Sequence, residues 1–191
     1  MPTPSRTSLP DIVRAGRHIL ETDGLEQLTM ARVALDVGVR PPSLYKHVRD
    51  RGDLIRLIGN AVVADLAQHL AEAATSGDPR QDLRAMAHAQ RTFAHQSPEA
   101  YRLIWSRLPP QWRFDAEFNT RATAPVLRTV AALVGEAHSL PAARTFVAWA
   151  QGFVNMELAD AFRLGGDVDA AFDYGLTCLV DALGGDQTSE D

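Results

Sequence analysis

The chain has 191 residues, 46% of them hydrophobic and 23% charged, with a formal net charge of −5 and one cysteine. That length holds one large domain or a small head on a larger body, and the composition is that of an ordinary globular protein. No stretch approaches the roughly 18 unbroken apolar residues of a membrane span. The opening MPTPSRTSLP lacks the apolar core of a secretory signal, and the lone Cys178 excludes an internal disulfide framework, which points to a reducing cytoplasm.

The charge is unevenly spread. Residues 1–60 carry nine Lys/Arg and seven Asp/Glu, a net of +2, while the remaining residues carry ten Arg and seventeen acids, a net of −7. A basic head on an acidic body is the polarity expected when only the head approaches phosphate.

Helical periodicity dominates and strand alternation is almost absent, so the fold expected is all-α, with about nine helices. The first helix starts near Ser8, with Pro10 in its first turn, an apolar stripe of Ile12, Val13, Gly16, Ile19 and Leu20, and Gly24 to close it. Thr29 caps a short helix Met30–Asp36, Gly38 ends it, and Pro41-Pro42 open a second short helix reaching about His47. A long helix follows from about Asp50 to Ala74, carrying Leu54, Ile58, Val62, Leu66 and Leu70. Further helices are expected over roughly 80–96, 98–108, 113–136, 141–164 and 168–183, with Pro98, Pro109-Pro110, Pro141 and Gly165-Gly166 at the junctions. The polar GGDQTSED tail is expected to fray. The domain boundary is placed within the long helix, giving a head of residues 1–60 and a helical body of 61–191.

The segment TMARVALDVGVRPPSLYKHV, residues 29–48, carries the functional signal. It reads as a two-turn helix, a tight turn at Val37-Gly38-Val39 and a second short helix, the helix-turn-helix pattern that sets its second helix in a major groove. Val33, Ala34, Val39, Leu44 and Val48 supply a small core. Arg40, Pro42, Ser43, Tyr45, Lys46 and His47 are left facing out, with Arg49 and Arg51 following where phosphate would lie.

Residues from Ile12 to about Leu57 resemble the TetR family of repressors. The landmarks are Gly24, Thr29, Val33-Ala34, Gly38-Val39, Leu44-Tyr45, His47-Val48, Arg51 and Leu54. The resemblance implies that Thr29, Tyr45, His47 and Arg51 touch phosphates and that Arg40, Pro41, Pro42, Ser43 and Lys46 face bases. Arg40, Pro42 and Arg51-Gly52 depart from the family's common residues, so no operator sequence carries over. It further implies a homodimer on a pseudo-palindromic operator in double-stranded DNA, and a repressor that an unknown small-molecule effector releases.

In the body, WAQGFVNMELADAF and DVDAAFDYGLTCLVDAL are similar to the family's WHG-type C-terminal domain. Phe146, Phe153, Val154 and Leu158 on one helix, with Phe172, Leu176 and Leu179 on the next, form stripes that serve either a dimer interface or an internal core. Met86, Phe93, Tyr101, Trp105, Phe118 and Trp149 are candidates to line an effector cavity, with core packing as the rival for each. His88, Arg91 and His95 share a helical face suited to solvent or to a polar effector, at a spacing too loose for a metal pair. Cys178 sits among apolar residues, as a buried inert thiol would.

No P-loop, nucleophile elbow, dinucleotide fingerprint or zinc-protease motif occurs, so no cofactor is implied and an enzyme is the lesser alternative, with a protein-binding helical adaptor as another.

Overall fold

A computed structural model of the chain describes residues 7–185. Among these residues there are nine α-helices, two 3-10 turns and no strand. Most of the GGDQTSED tail, from residue 186 on, lies outside the described residues.

The described residues divide into two compact units: one runs to Asp65 and includes Ser97–Asn119, the other comprises Leu66–Gln96 and Thr120 onward. The long helix α4 (Arg51–Ala73) begins in the first and ends in the second.

In the first unit, α1 (Leu9–Asp23) opens with a reciprocal cap. Ser8 Oγ accepts from the Asp11 amide, and the Asp11 carboxylate accepts from the Ser8 amide, each at 3.3 Å. Gly24, at φ 83°, ends the helix, and a 3-10 turn (Leu25–Gln27) leads to α2 (Met30–Asp36). Gly16 lies under Ile58 of α4: a Cβ there would sit 2.7 Å from Ile58 Cδ1, so a larger residue would require the tip of the Ile58 side chain to shift. The core comprises Ile12, Ile19, Leu20, Leu28, Val33, Ala34, Leu44, Val48, Leu54, Ile55 and Ile58.

Residues 97–119, read from the sequence as part of the body, belong to this first unit. The physical reason is a set of long-range polar bonds that spacing cannot announce. Helix α6 (Pro98–Trp105) has no side-chain cap of its own; the Glu21 carboxylate of α1 accepts instead from the Glu99 and Ala100 amides, both at 3.1 Å. Buried Asn60 of α4 donates to the Asp115 carboxylate at 2.7 Å and accepts from the Asp115 amide at 3.2 Å.

The second unit packs α5 (Pro79–Gln96) with α8 (Glu136–Leu158) and α9 (Val168–Leu183), alongside α7 (Ala116–Val134), most of which lies in this unit. Two junctions differ from expectation. The break before α8 falls at Gly135, at φ 80°, and Pro141 lies inside the helix. A positive φ ends the preceding helix, whereas one proline costs a single helical hydrogen bond. Helix α8 then stops at Leu158 rather than 164, where Asp160 adopts φ 52° and Gly165 and Gly166 are also left-handed.

Candidate nucleic-acid interface

Two short helices make the surface. In α2, Thr29 Oγ1 accepts from the Arg32 amide at 3.3 Å, which caps the helix as the sequence reading expected. The helix ends in a Schellman turn: the Gly38 amide donates to Leu35 at 3.1 Å and the Val39 amide to Ala34 at 2.9 Å, with Gly38 at φ 72°. Helix α3 (Pro41–Leu44) starts with two prolines in its first turn and continues as turns to His47, whose amide donates to the Leu44 carbonyl at 2.8 Å.

Below this surface, Val33, Ala34, Leu44 and Val48 are fully buried, and Val39 is half-buried. Above it, Arg40, Pro41, Pro42, Tyr45, Lys46, His47 and Thr29 are exposed and Ser43 is half-buried. Every site residue read from the sequence between Thr29 and His47 is therefore at least partly open to solvent. Arg40 and Lys46 make no ion pair among the described residues, so both cations are available to an anionic partner.

The two arginines after α3 are placed differently. Arg49 is bonded through its amide and its guanidinium to Asp53, both at 3.0 Å, while Arg56 adds a bond to the same carboxylate at 2.8 Å. The Arg49 hydrogen bond, chiefly, holds the Asp53 carboxyl well below the usual carboxylate range. Arg51, which the resemblance assigns to phosphate, instead donates Nε to the Leu28 carbonyl at 2.7 Å and Nη2 to the Leu25 carbonyl at 2.6 Å. Its guanidinium also lies 5.6 Å over the Trp112 ring. These bonds satisfy carbonyls at the 3-10 turn and fix the entry to α2, a structural task.

The chain belongs to the TetR family. Residues 83–179 match the family profile described as the tetracyclin repressor-like C-terminal domain. The chain is 33% identical over 175 residues to the uncharacterized HTH-type transcriptional regulator Rv0681 of Mycobacterium tuberculosis, covering 88% of this chain and 78% of that protein. It is 33% identical over 60 residues to the tetracycline repressor protein class E of Escherichia coli, 31% of this chain and 28% of that one. In fold it is similar to the transcriptional regulator SCO7222 of Streptomyces coelicolor, at a TM-score of 0.74 and 21% identity over 93% of this chain and 98% of that chain. The all-helical fold and the helix-turn-helix place this TetR family chain among the DNA-binding transcription regulators.

Outside the helix-turn-helix, the structure redistributes several expectations. Tyr101, Trp105 and Phe118 belong to the first unit, and Met86, Phe93 and Trp149 to the second. Met86, Phe93 and Tyr101 are at most 3% exposed and act as core. Trp149 packs against Phe153 and Phe172, and a Cβ on Gly175 would lie 2.7 Å from its ring. Trp105 keeps 40% of its surface and meets Tyr101 edge-on. Of the candidate interface residues, Phe146, Val154, Phe172 and Leu176 are buried within the single chain, so they form its internal core and have no surface left for a partner. Phe153, Leu158 and Leu179 are half-buried. The outward faces of the last two helices carry Thr145, Ala148, Gly152 and Met156 on α8, and Tyr174, Thr177 and Cys178 on α9. Cys178 is thus exposed, not buried as expected, because its neighbours Leu176 and Val180 take the inward positions.

The His88, Arg91 and His95 face is occupied by ion pairs, with Arg91 largely covered and the two histidines exposed. Arg91 reaches Glu157 at 2.5 Å and also pairs with Asp169, over the Phe172 ring at 4.8 Å. His88 meets Asp173 at 3.1 Å and His95 meets Glu157 at 3.4 Å. Only the tertiary fold brings these carboxylates to the α5 face.

Proposed function

We propose that this TetR family chain is a homodimeric cytoplasmic repressor that binds a pseudo-palindromic operator and is released by a small-molecule effector. The observation that supports operator reading is the outward face of α3, where unpaired Arg40 and Lys46 flank Pro41, Pro42 and Ser43 over a sealed core. Arg40, Pro41, Pro42, Ser43 and Lys46 face bases; Thr29, Tyr45 and His47 lie where phosphates pass. Reading is the work of residues 1–60, and effector binding and dimerisation fall to 61–191.

The dimer forms on the outward faces of α8 and α9. Small residues there, Ala148 and Gly152 on α8 and Thr177 and Cys178 on α9, let partner helices approach closely, and an apolar groove of about 310 Å³ lined by Val126, Leu127, Leu140 and Val147 adjoins them. Of the six residues proposed to meet an effector, Trp105 offers the most open surface.

The test is selection of bound fragments from random DNA, followed by footprinting. Two half-sites about 10 bp apart, or a small multiple of that, support the reading, and affinity should fall steeply with salt. A single asymmetric half-site bound by a monomer refutes the dimeric operator reading.

A further inference from the structure

The loop between α6 and α7, residues 106–115, is held to α4 at three points. Trp112 covers Gly52 so closely that a Cβ there would lie 2.0 Å from its Nε1; Phe114 covers Gly59, where a Cβ would lie 1.9 Å from its Cε1. Asp115 is bonded to Asn60 at 2.7 Å and Arg56 at 2.5 Å. Beside these anchors the loop borders an open depression of about 300 Å³, lined by Ile104, Ser106, Arg107, Leu108, Arg113 and Phe114.

The lining is chemically uneven. Ile104, Leu108 and Phe114 give an apolar floor, while Arg107 and Arg113 bring two exposed guanidiniums to the same depression. Neither guanidinium pairs with a carboxylate among the described residues, although the chain has 24 acids and most of its other arginines are paired. The loop's own carboxylate, Asp115, is committed to α4. Two unneutralised planar forks beside an apolar floor match a ligand with an oxyanion at one end and a compact hydrocarbon body at the other. An inorganic anion would leave the floor unused, and a neutral apolar ligand would leave both charges unmet.

We propose that this depression binds an amphipathic carboxylate, with Arg107 and Arg113 holding the carboxylate and Ile104, Leu108 and Phe114 the apolar body. It rests on the reading that an effector controls this regulator, and it names that effector's class. A body pressing on Phe114 bears directly on Gly59 of α4, and a shift of the adjacent Trp112 bears on Arg51 and so on the turn that enters α2. The site is therefore linked through α4 and Arg51 to the turn that enters α2, within one compact unit.

The experiment is calorimetric titration of the full chain with octanoate, alongside 1-octanol, octylammonium and inorganic phosphate. Octanoate should bind and the other three should bind at least about tenfold more weakly. Arg107→Gln and Arg113→Gln should each weaken octanoate binding about tenfold, whereas Arg128→Gln, at an exposed arginine that does not line the depression, should leave it as it was. Equal binding of octanol, unchanged binding in both arginine variants, or no octanoate binding overturns the proposal. So does a reduced salt slope of operator binding in the double variant, which would reassign the pair to DNA phosphate. Operator release by octanoate is measured separately: carboxylate binding that depends on both arginines, with no release, upholds the site while refuting effector control through it.

Discussion

Replacing Arg51 by alanine separates a structural arginine from a phosphate contact. In the structure its guanidinium donates to the Leu28 and Leu25 carbonyls at 2.7 and 2.6 Å and stacks over Trp112. Each hydrogen bond from a charged donor contributes about 1 kcal/mol at this half-buried position, at the low end for such bonds, and the stacking adds about 0.5–1 kcal/mol. The loss should therefore be about 2.5–3 kcal/mol, a fall of roughly 5–12 °C in the midpoint for a chain of this length. The assay is thermal and urea unfolding at one fixed protein concentration, because the proposed dimer would make midpoints concentration-dependent. It is paired with operator binding over a range of salt. Arg51→Lys sharpens the result: a lysine keeps the charge but cannot donate along two directions from a planar fork, so it should restore little stability. If Arg51→Ala leaves the midpoint unchanged and instead lowers the salt slope by about one unit, Arg51 is a phosphate contact and the structural reasoning fails.

Gly59→Ala should destabilise by about 1–3 kcal/mol, since the added methyl would occupy the place of the Phe114 ring; an unchanged midpoint would mean that the ring moves aside freely. Substituting Arg40 or Lys46 should relax preference at particular operator positions by about 1–3 kcal/mol, and a uniform loss over all sequences would make that residue a phosphate contact. Gly152→Arg on the outward face of α8 should yield monomers in sedimentation, and an intact dimer would move the interface elsewhere. Asp53, held low by its bond to Arg49, contributes stability that is fully present above the ordinary carboxylate range and is lost as pH falls through its lowered folded value. Asp53→Asn should therefore reduce the acid sensitivity of the midpoint below about pH 4, where the wild-type chain is losing this contribution; an unaltered acid limb would show that other carboxylates govern it.

The helix-turn-helix was legible because its determinants are local. A cap reaches three residues, as Thr29 to Arg32 does, and a Schellman turn needs only Gly38 just past the last helical turn. The alternation of Val33, Ala34, Leu44 and Val48 with exposed Arg40, Tyr45 and Lys46 then sets which side faces out. The helix count and the family resemblance followed from the same short-range signals. Partners far apart in the chain were decided by packing. Glu21 caps α6 from 78 residues away, Asn60 grips Asp115 across 55, and Arg91 finds Glu157 across 66. No periodicity encodes such bonds, because a side chain's donors and acceptors can serve any complementary group that the fold delivers. The same gap separates core from interface: Phe172 and Tyr174 stand two residues apart on α9, one fully buried and the other 75% exposed. Both are large and aromatic, and only the neighbouring helices, by taking one face and leaving the other, determine which of them the solvent or a partner can meet.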